Sequence, residues 1–449
     1  MSSPYPRPIL AFASSTANDL SAAAFAHILA LLDTGQPDYA SHLENLRQRM
    51  ADAYGIAAPC EIVFAPSGTD LEYVALAAVL GRSSGGIHNI LLGADEVGRG
   101  CILSAHGKYF AHETAIDQSV TYGDAVEGTG DISLADIPVR CLEGKAVTSS
   151  DIAASIEREL EIARDAGRHA LVHVVHGSKT GLILPSLSDI DQLQAAWGDI
   201  FTLVVDACQA RITGEAIRQY IDRGAIVFLT GSKFMGGAPF GGMALVPSQM
   251  AQRAQVLPAG FTGIFRRAEW PLGWPGRDEL ADTANPGLAL RLEAAIHELE
   301  RFRALERKDV ERVIAAFQRQ LKTCLVEPFG FALVRPYPEG EGSVPQDHPL
   351  EMLTLATLDV SPHPGAHTIE DAEKLHRKLA LSGIRLGQPV KSVRTPQGSW
   401  AGTLRIGLSM PQVVEIAQLG DDQLDHWLSS RFGRIAAALQ GDVVDAPAL

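Results

Sequence analysis

Short apolar runs that alternate with helix-like segments are the feature that most constrains the fold of this chain. Six such runs lie at residues 60–64, 101–105, 170–175, 201–205, 225–229 and 242–246. Runs this short and apolar are typical of strands buried on both faces of a mainly parallel sheet. The segments between them carry helix signals, as at 149–167, where Ser150 or Asp151 is expected to cap a helix and Gly167 to end it. The pattern predicts a doubly wound α/β domain.

The rest of the chain has a different pattern, and 449 residues are too many for one ordinary core. A long helical pattern at 286–321 is interpreted as the bridge between two domains. After it come a Pro/Gly-rich loop, a strand-like stretch, a helix from Ile369 to about Leu381, and a strand at 403–408. We therefore expect an N-terminal segment, a large domain and a linking helix with a smaller α+β C-terminal domain, over residues 1–40, 41–290 and 291–449.

Composition narrows the class of partners. The net charge is −15, with 53 acidic against 38 basic residues, so nucleic acid and anionic membrane surfaces are not expected partners. The five cysteines are scattered without CxxC spacing, which predicts neither a disulfide framework nor a metal site. The N-terminal apolar run is too short for a signal peptide, and no stretch approaches the roughly 20 apolar residues of a membrane span. A cytoplasmic protein is expected.

An aspartate and a lysine follow two consecutive predicted strands. Asp206 ends the run at 201–205, and Lys233 lies just beyond the run at 225–229. The segment 212–224 supplies a helical crossover between them, so both side chains should emerge at one edge of the sheet, where open α/β sheets bind ligands. Either residue alone is more often structural. Together they are the pair that pyridoxal 5'-phosphate (PLP) needs, an amine for a Schiff base and a carboxylate for the pyridine nitrogen.

A phosphate group needs backbone N–H donors at the start of a helix and small hydroxyl side chains. Ser67, Gly68 and Thr69 follow the first strand and precede an apolar helix, while Thr230 and Ser232 flank the lysine. A Ser-Gly-Thr sequence is also a common helix cap, so the three residues alone do not establish a phosphate site.

Four segments together resemble a known family. They are VVDACQA at 204–210, LTGSKFMGGAPFGG at 229–242, SGT at 67–69 and HGSKTGLILP at 176–185. They are similar to fold-type I PLP enzymes of the class V aminotransferase family, which also includes cysteine desulfurases, kynureninase-like lyases and isopenicillin N epimerase-like members. The similarity is clearest from Ala58 to Pro247. It implies the PLP-dependent transferase fold type I, with a mainly parallel seven-stranded sheet in the large domain, and a homodimer with shared active sites.

The resemblance also implies a role for individual residues. Lys233 carries PLP as a Schiff base, Asp206 pairs with the pyridine nitrogen, and Gln209 contacts the phenolic oxygen. The remaining assignments are Ser67, Gly68, Thr69, Thr230 and Ser232 at the phosphate, Tyr109 stacked on the ring with His106 as the alternative, Ser178 near the phenolic oxygen or substrate, Arg405 on the substrate carboxylate, and Thr283 at the phosphate of a neighbouring subunit.

The reaction predicted from this resemblance is transamination of an amino acid or related amine. A PLP-dependent lyase or epimerase is the alternative, because the same pocket permits either. Cysteine desulfurase activity is disfavoured: the stretch 387–402 before the arginine strand has no cysteine, and Cys208 is interpreted as a structural thiol. A non-catalytic regulator is disfavoured because the short N-terminus has no basic helix-turn-helix pattern.

Several other segments have open interpretations. His173 and His176 are interpreted as core histidines. In the loop at 261–278, residues Arg266, Arg267, Trp270 and Trp274 are expected either to line a substrate mouth or to form dimer contacts, and the loop at 361–367 matches no family signature.

Overall fold

The computed structural model describes residues 2–35, 37–56, 60–94, 96, 100–338 and 349–441. The strands are β1 Leu10–Phe12, β2 Cys60–Ala65, β3 Ile87–Leu92, β4 Ile132–Ile137, β5 His169–His176, β6 Ile183–Leu184, β7 Phe201–Asp206, β8 Ile226–Thr230, β9 Gly242–Pro247, β10 Ala332–Leu333, β11 Leu355–Asp359, β12 Ile384–Leu386 and β13 Thr403–Gly407. The helices are α1 Ala22–Asp33, α2 Tyr39–Tyr54, α3 Leu71–Val79, α4 Cys101–Ala105, α5 Ser149–Asp165, α6 Leu187–Trp197, α7 Gly214–Asp222, α8 Ser248–Gln252, α9 Pro286–Arg303, α10 Arg307–Leu321, α11 Glu327–Phe329, α12 Ile369–Leu381, α13 Met410–Ala417 and α14 Asp421–Gln440.

The large sheet has the strand order β2-β9-β8-β7-β5-β3-β4, and the short β6 pairs with β5. Strand β9 is antiparallel to both of its neighbours, while the β3, β4, β5, β7 and β8 pairings are parallel. The predicted mainly parallel seven-stranded sheet is therefore confirmed, with β6 as a two-residue addition. The carboxyl ends of β2, β7 and β8 meet at one edge, which is where the predicted site residues lie.

Both faces of this sheet are buried, as the apolar runs predicted. Alternate residues of β7 belong to two different cores: Leu203 and Val205 pack on one side and Val204 on the other. The same alternation occurs in β8, where Val227 and Ile226 point to opposite sides. Because neither face of such a strand meets solvent, polar residues do not alternate with apolar ones along it. This explains the continuous apolar sequence of these strands.

Five of the six apolar runs form strands, and the prediction for the sixth is wrong. Residues 101–105 form the short helix α4, and the strand in this region is β3, which lies between Gly86 and Gly93. Both glycines have positive φ (89° and 61°), so they allow the sharp turns that bound the strand. A five-residue apolar run fits a buried helix as well as a strand, because periodicity needs a longer window.

The helix predictions need smaller corrections. Thr148, rather than Ser150 or Asp151, caps α5, and its side chain accepts a hydrogen bond from the Asp151 N–H. The long helical pattern at 286–321 is two helices, α9 and α10, and Asn285 caps α9 with Pro286 in its first turn. Helix α12 has the predicted bounds.

The C-terminal part contains a second, three-stranded sheet in the order β10-β11-β13, with antiparallel pairing. In the strand-like stretch at 351–360 only Leu355–Asp359 is extended, and most of the Pro/Gly-rich loop at 336–349 lies outside the described residues. Strand β1 pairs in parallel with β12, and α2 begins at Tyr39. The N-terminal segment is thus attached to the C-terminal part, and the expected division at 40/41 falls within a helix. Among the described helices, none is both long and apolar enough to span a membrane.

Candidate active site

A cavity of about 260 Å³ lies at the carboxyl edge of the large sheet. We call it the lysine cavity. It is lined by Thr16, Ala17, Ser67, Gly68, Thr69, Glu72, Cys101, Asp206, Cys208, Phe228, Thr230, Ser232, Lys233, Pro239 and Phe240. Seven residues predicted from sequence are among them, and they follow the ends of three strands, β2, β7 and β8: Ser67, Gly68, Thr69, Asp206, Thr230, Ser232 and Lys233.

The backbone around Lys233 is held by the N-terminal segment. The side-chain amide of Asn18 donates hydrogen bonds to the carbonyl of Lys233 at 2.5 Å and to that of Ser232 at 3.3 Å. Thr16 and Ala17 line the lysine cavity beside them. The position of the lysine therefore depends on a segment that precedes the large domain in the sequence.

Asp206 ends β7, and the backbone N–H of Cys208 donates to its Oδ1 at 2.9 Å. That bond fixes one carboxylate oxygen. The side chain lies on the same face of the sheet as Val204, which faces the core beneath α3. The carboxylate thus projects into the floor of the lysine cavity from the strand next to the one that leads to Lys233.

The hydroxyl-rich end of the cavity is tightly packed. Ser67 Oγ donates to Asp70 at 2.6 Å and accepts the backbone N–H of Thr69 at 3.2 Å. Thr230 Oγ1 donates to the carbonyl of Cys208 at 2.7 Å. A Cβ atom at Gly68 would lie only 2.8 Å from Thr230 Cγ2, so glycine is required for this close approach. Burial raises the pKa of Asp70 to about 6.

Gln209 is buried beside the cavity, with its amide orientation fixed by an arginine. Arg211 donates to Gln209 Oε1 at 3.0 Å, and Gln209 Nε2 donates to the carbonyl of Ser15 at 3.2 Å. A guanidinium has no acceptor, so the oxygen must face Arg211, and Nε2 keeps a second hydrogen to donate. Burial lowers the pKa of Arg211 to about 9, and the nearby Arg405 adds to this shift.

Arg405 lies on β13 and reaches the lysine cavity through Thr16. Its guanidinium donates to Thr16 Oγ1 at 3.2 Å and to the carbonyls of Gln388 at 2.8 Å and Lys179 at 3.3 Å. The side chain is buried, and burial lowers its pKa to about 10, opposed by the negative charge of Glu96. A buried cation held mainly by neutral carbonyl groups is suited to receive an anion.

Five predicted residues do not line the lysine cavity: Gln209 and Arg405, described above, and Tyr109, Ser178 and Thr283. Tyr109 lines an adjoining cavity of about 500 Å³, which shares Ser67 and Phe240 with the first. The hydroxyl of Ser178 is directed to Glu96, to which it donates at 2.7 Å within a buried cluster. Thr283 is exposed. His106, the alternative to Tyr109, follows α4 and does not line the lysine cavity either.

Glu72 is the most informative residue that the sequence analysis missed. It lines the lysine cavity from α3, a helix whose nine residues are all buried. Burial and the charge of Asp206 raise the pKa of Glu72 well above its usual value. Its Oε2 lies 3.4 Å from Nε2 of His173, a histidine whose pKa burial lowers to about 3. A lone carboxylate in the otherwise apolar sequence LEYVALAAV was the available signal.

The tryptophans of the 261–278 loop are core residues, so neither interpretation of Trp270 and Trp274 was right. Trp270 is fully buried, with ring centroids 5.2 Å from Phe265 and 4.8 Å from Trp274. The aromatic content of the loop follows from this packing. In the 361–367 loop, His363 contacts the carbonyl of Leu439 at 2.8 Å and so ties the loop to α14.

Comparison with known proteins gives a fold-level match. No protein-family model and no curated protein sequence matches the chain. Solved structures of the same fold include a cysteine desulfurase from Thermococcus onnurineus NA1 (15% identity, TM-score 0.57, covering 96% of this chain and 95% of that one). The cysteine desulfurase CsdA of Escherichia coli matches at 13% identity and TM-score 0.57, with 96% and 95% coverage. A ureidoglycine-glyoxylate aminotransferase from Bacillus subtilis matches at 11% identity and TM-score 0.57, with 98% and 95% coverage. The fold implied by the sequence motifs is confirmed over nearly the whole chain.

Proposed function

We propose that this chain is a PLP-dependent enzyme that holds its cofactor on Lys233 and acts as an aminotransferase on an amino acid or related amine. The observation that carries the proposal is the convergence of Lys233 and Asp206 with a cluster of small hydroxyl residues in one cavity. When bound, PLP supplies a ring that accepts the electrons left on the substrate carbon after a bond to it is broken.

The hydroxyl-rich end of the lysine cavity fits a phosphate group. Gly68 and Thr69 lead into α3, so backbone N–H groups at the start of the helix are available as donors. The contact between Gly68 and Thr230 leaves no room for a larger side chain at the helix start. We assign the phosphate to this end, with Ser232 as a further hydroxyl donor and with Ser67, whose hydroxyl hydrogen is held by Asp70, as part of the lining.

Asp206 and Gln209 would hold the two polar positions of the ring. Asp206 presents a carboxylate with one oxygen already bonded to the Cys208 N–H, which favours a protonated nitrogen opposite it. Gln209 presents a donor because Arg211 occupies its oxygen. A donor at this position stabilises a phenolate oxygen. The two residues therefore suit the ring nitrogen and the phenolic oxygen, respectively.

Lys233 and Arg405 would act on the substrate. The amine of Lys233 lies in the cavity, where it serves first to attach the cofactor and then to move a proton at the substrate carbon. Arg405 would bind the substrate carboxylate, replacing carbonyl contacts with a charged partner. The substrate is thus held by its carboxylate at one end and meets the lysine at its amino-bearing carbon.

The choice of reaction rests on the cysteines and on the aminotransferase among the structural neighbours. A desulfurase needs a nucleophilic thiolate. Cys101 and Cys208 line the cavity, but burial and nearby carboxylates raise the pKa of both thiols. Neither is suited to that role, and the stretch 387–402 has no cysteine. A lyase or epimerase remains the alternative, since the same residues would serve it.

Covalent attachment is tested by incubating the protein with PLP, reducing it with borohydride and sequencing the labelled peptide by mass spectrometry. We expect the label on Lys233 and its loss in Lys233→Ala. Lys308→Ala is the matched control, since Lys308 is an exposed lysine paired with Glu306. A label on other lysines, or one that persists in Lys233→Ala, would contradict the assignment.

The reaction type is tested with single amino acids in the absence of a keto acid. Transamination converts the cofactor to its amine form in a stoichiometric half-reaction, which absorbance and product analysis detect. Continuous product formation with the original absorbance retained would instead favour a lyase or epimerase.

We also propose a homodimer whose active site is completed by the second subunit. The adjoining cavity opens beside the lysine cavity, and Phe240, 66% exposed, lies at the border of the two. Thr283 is exposed near Asn285, which lines the adjoining cavity. Light scattering should give twice the chain mass, and Thr283→Ala should weaken PLP binding; a fully active monomer would refute the proposal.

A further inference from the structure

Thr16 lies between the lysine cavity and the guanidinium of Arg405. The threonine is partly buried and lines the cavity, whereas Arg405 is 2% exposed and does not line it. The guanidinium nitrogen Nη2 donates to Thr16 Oγ1 at 3.2 Å. Among the described residues that accept a hydrogen bond from Arg405, Thr16 alone lines the cavity. A group that approaches Arg405 from the cavity therefore meets Thr16.

The hydroxyl group of Thr16 has a hydrogen left to donate. Besides the bond from Arg405, its oxygen accepts the backbone N–H of Gln388 at 3.3 Å. A hydroxyl group has two acceptor lone pairs and one hydrogen, so both lone pairs are used by these two bonds. The described residues provide no acceptor for the remaining hydrogen. The Thr16 O–H is thus available to a ligand in the cavity.

Arg405 also has one N–H left. Its Nε donates to the Gln388 carbonyl at 2.8 Å, and Nη1 donates to the carbonyls of Ser15 and Lys179, both at 3.3 Å. A guanidinium carries five N–H groups, and the bond to Thr16 uses a fourth. The fifth is on Nη2, the nitrogen that lies 3.2 Å from Thr16 Oγ1. Two donor atoms this close can bind the two oxygens of one carboxylate.

The charges behind Thr16 favour an anion at this position. Arg405 and Arg211 are both buried, and they are close enough for the charge of Arg405 to lower the pKa of Arg211. The carboxylate whose charge acts on Arg405 is Glu96, which is itself paired with Arg140 at 2.5 Å. Arg405 thus shares its counter-ion with another arginine. A substrate carboxylate would supply a negative charge that the protein does not provide in full.

We propose that Thr16 is a second donor for the substrate carboxylate, so that its O–H binds one carboxylate oxygen while Arg405 binds the other. The inference rests on the proposed function, in which an amino acid reacts at Lys233. Thr16 and Lys233 line the same cavity, so a substrate held at Thr16 by its carboxylate lies in the cavity that contains the amine. The N-terminal segment then contacts the substrate through Thr16 and holds the backbone of Lys233 through Asn18.

The test uses two reagents that displace Lys233 from bound PLP. Aminooxyacetate carries a carboxylate and methoxyamine lacks one, and the change in cofactor absorbance gives a second-order rate constant for each. Thr16→Val keeps the shape of the side chain but has no O–H. The variant should react roughly tenfold more slowly with aminooxyacetate, because a hydrogen bond to a charged group is lost, and at the wild-type rate with methoxyamine. The ratio of the two rate constants should therefore fall roughly tenfold.

Two further variants separate this role from a structural one. Thr16→Ser retains the O–H and should keep the wild-type ratio. Thr357→Val is the matched control, because Thr357 pairs in register with Arg405 on the neighbouring strand and does not line the cavity. Its hydroxyl is buried and has no hydrogen-bond partner among the described residues. Thr357→Val should also keep the wild-type ratio.

The possible outcomes separate this proposal from the proposed function. A wild-type ratio in Thr16→Val, with PLP bound on Lys233, would overturn the role of Thr16 and leave the proposed function intact. Equal slowing with both reagents would also overturn it, since the effect would not depend on the carboxylate. A wild type that does not attach PLP to Lys233 would overturn the proposed function itself. If Thr16→Val does not fold, Thr16→Ala takes its place with the same expected change in the ratio.

Discussion

The approach of Gly68 to Thr230 allows the phosphate end of the site to be tested by a single methyl group. In Gly68→Ala the new Cβ would lie 2.8 Å from Thr230 Cγ2, against 3.9 Å from the next neighbour, Cys208 Sγ. Overpacking of this kind costs about 1 to 3 kcal/mol. Reduced freedom of the unfolded chain offsets about 0.4 to 1 kcal/mol. We expect a net loss of roughly 1 to 2 kcal/mol in the free energy of unfolding. The neighbours Thr230 and Cys208 lie at or just beyond strand ends of the close-packed central sheet, so they have little room to move away from the new methyl group.

Two assays measure this effect. Urea unfolding gives the change in the free energy of unfolding, and a PLP titration gives the change in affinity. If half or more of the strain falls on the helix start that binds the phosphate, the dissociation constant should rise roughly threefold to thirtyfold, since about 1.4 kcal/mol corresponds to tenfold.

A double-mutant cycle identifies the cause. Thr230→Ser removes only Cγ2 and keeps the hydroxyl that donates to the Cys208 carbonyl. In the Thr230→Ser background, Gly68→Ala should cost close to nothing, because the atom it meets is gone. An equal cost in both backgrounds would refute the clash as the reason for glycine at this position.

Three further predictions concern other parts of the molecule. Arg405→Lys should raise KM for the amino substrate roughly tenfold to a hundredfold with PLP affinity unchanged, because a forked charged contact worth about 1.5 to 3 kcal/mol is lost; equal KM values in steady-state kinetics would contradict this. Burial pushes the pKa of Glu293 up, but hydrogen bonds from neighbouring histidines and Arg49 outweigh it and hold the pKa at about 2, against 4.5 unfolded. The carboxylate therefore stabilises the fold above about pH 4.5 and loses this effect as pH falls towards 2, so Glu293→Gln should cost about 3 kcal/mol at neutral pH and progressively less in acid, as measured by urea unfolding. Trp270→Ala should cost about 3 to 5 kcal/mol in the same assay without changing substrate preference, which a role at the substrate mouth would alter.

The sequence predicted the sheet and its edge well because both depend on local patterns. Buried parallel strands are continuous apolar runs, and five of the six runs proved to be strands. Residues that directly follow such a strand must emerge at its carboxyl edge, so Asp206 and Lys233 were found together as expected. The one wrong assignment is at 101–105, where five apolar residues are too few to show whether the hydrophobic periodicity is that of a helix or of a strand.

Contacts between distant segments could not be predicted in this way. Asn18 holds the carbonyl of Lys233 from 215 positions away, and no local pattern marks it. The direction of a side chain within a loop is equally hidden, which is why Tyr109 lies in the adjoining cavity and Ser178 is bonded to Glu96. The hydrophobic pattern of a segment indicates which of its faces is buried. Which residues pack against that face is decided by the tertiary fold, and the pattern does not show them.

Glu72 lies between these two cases and shows what a composition argument can add. A carboxylate in a helix with no exposed residue costs several kcal/mol if charged and unpaired, so its presence in LEYVALAAV predicts either a partner or a retained proton. The sequence alone indicates these two alternatives, but the neighbours of Glu72 follow only from the register of β5 with β7. That register brings His173 and Asp206 to the face that α3 covers, and so places a histidine and a second carboxylate beside Glu72. A site that looks like one aspartate and one lysine in sequence therefore contains, in three dimensions, a second carboxyl group, and burial and the charge of Asp206 raise the pKa of that group.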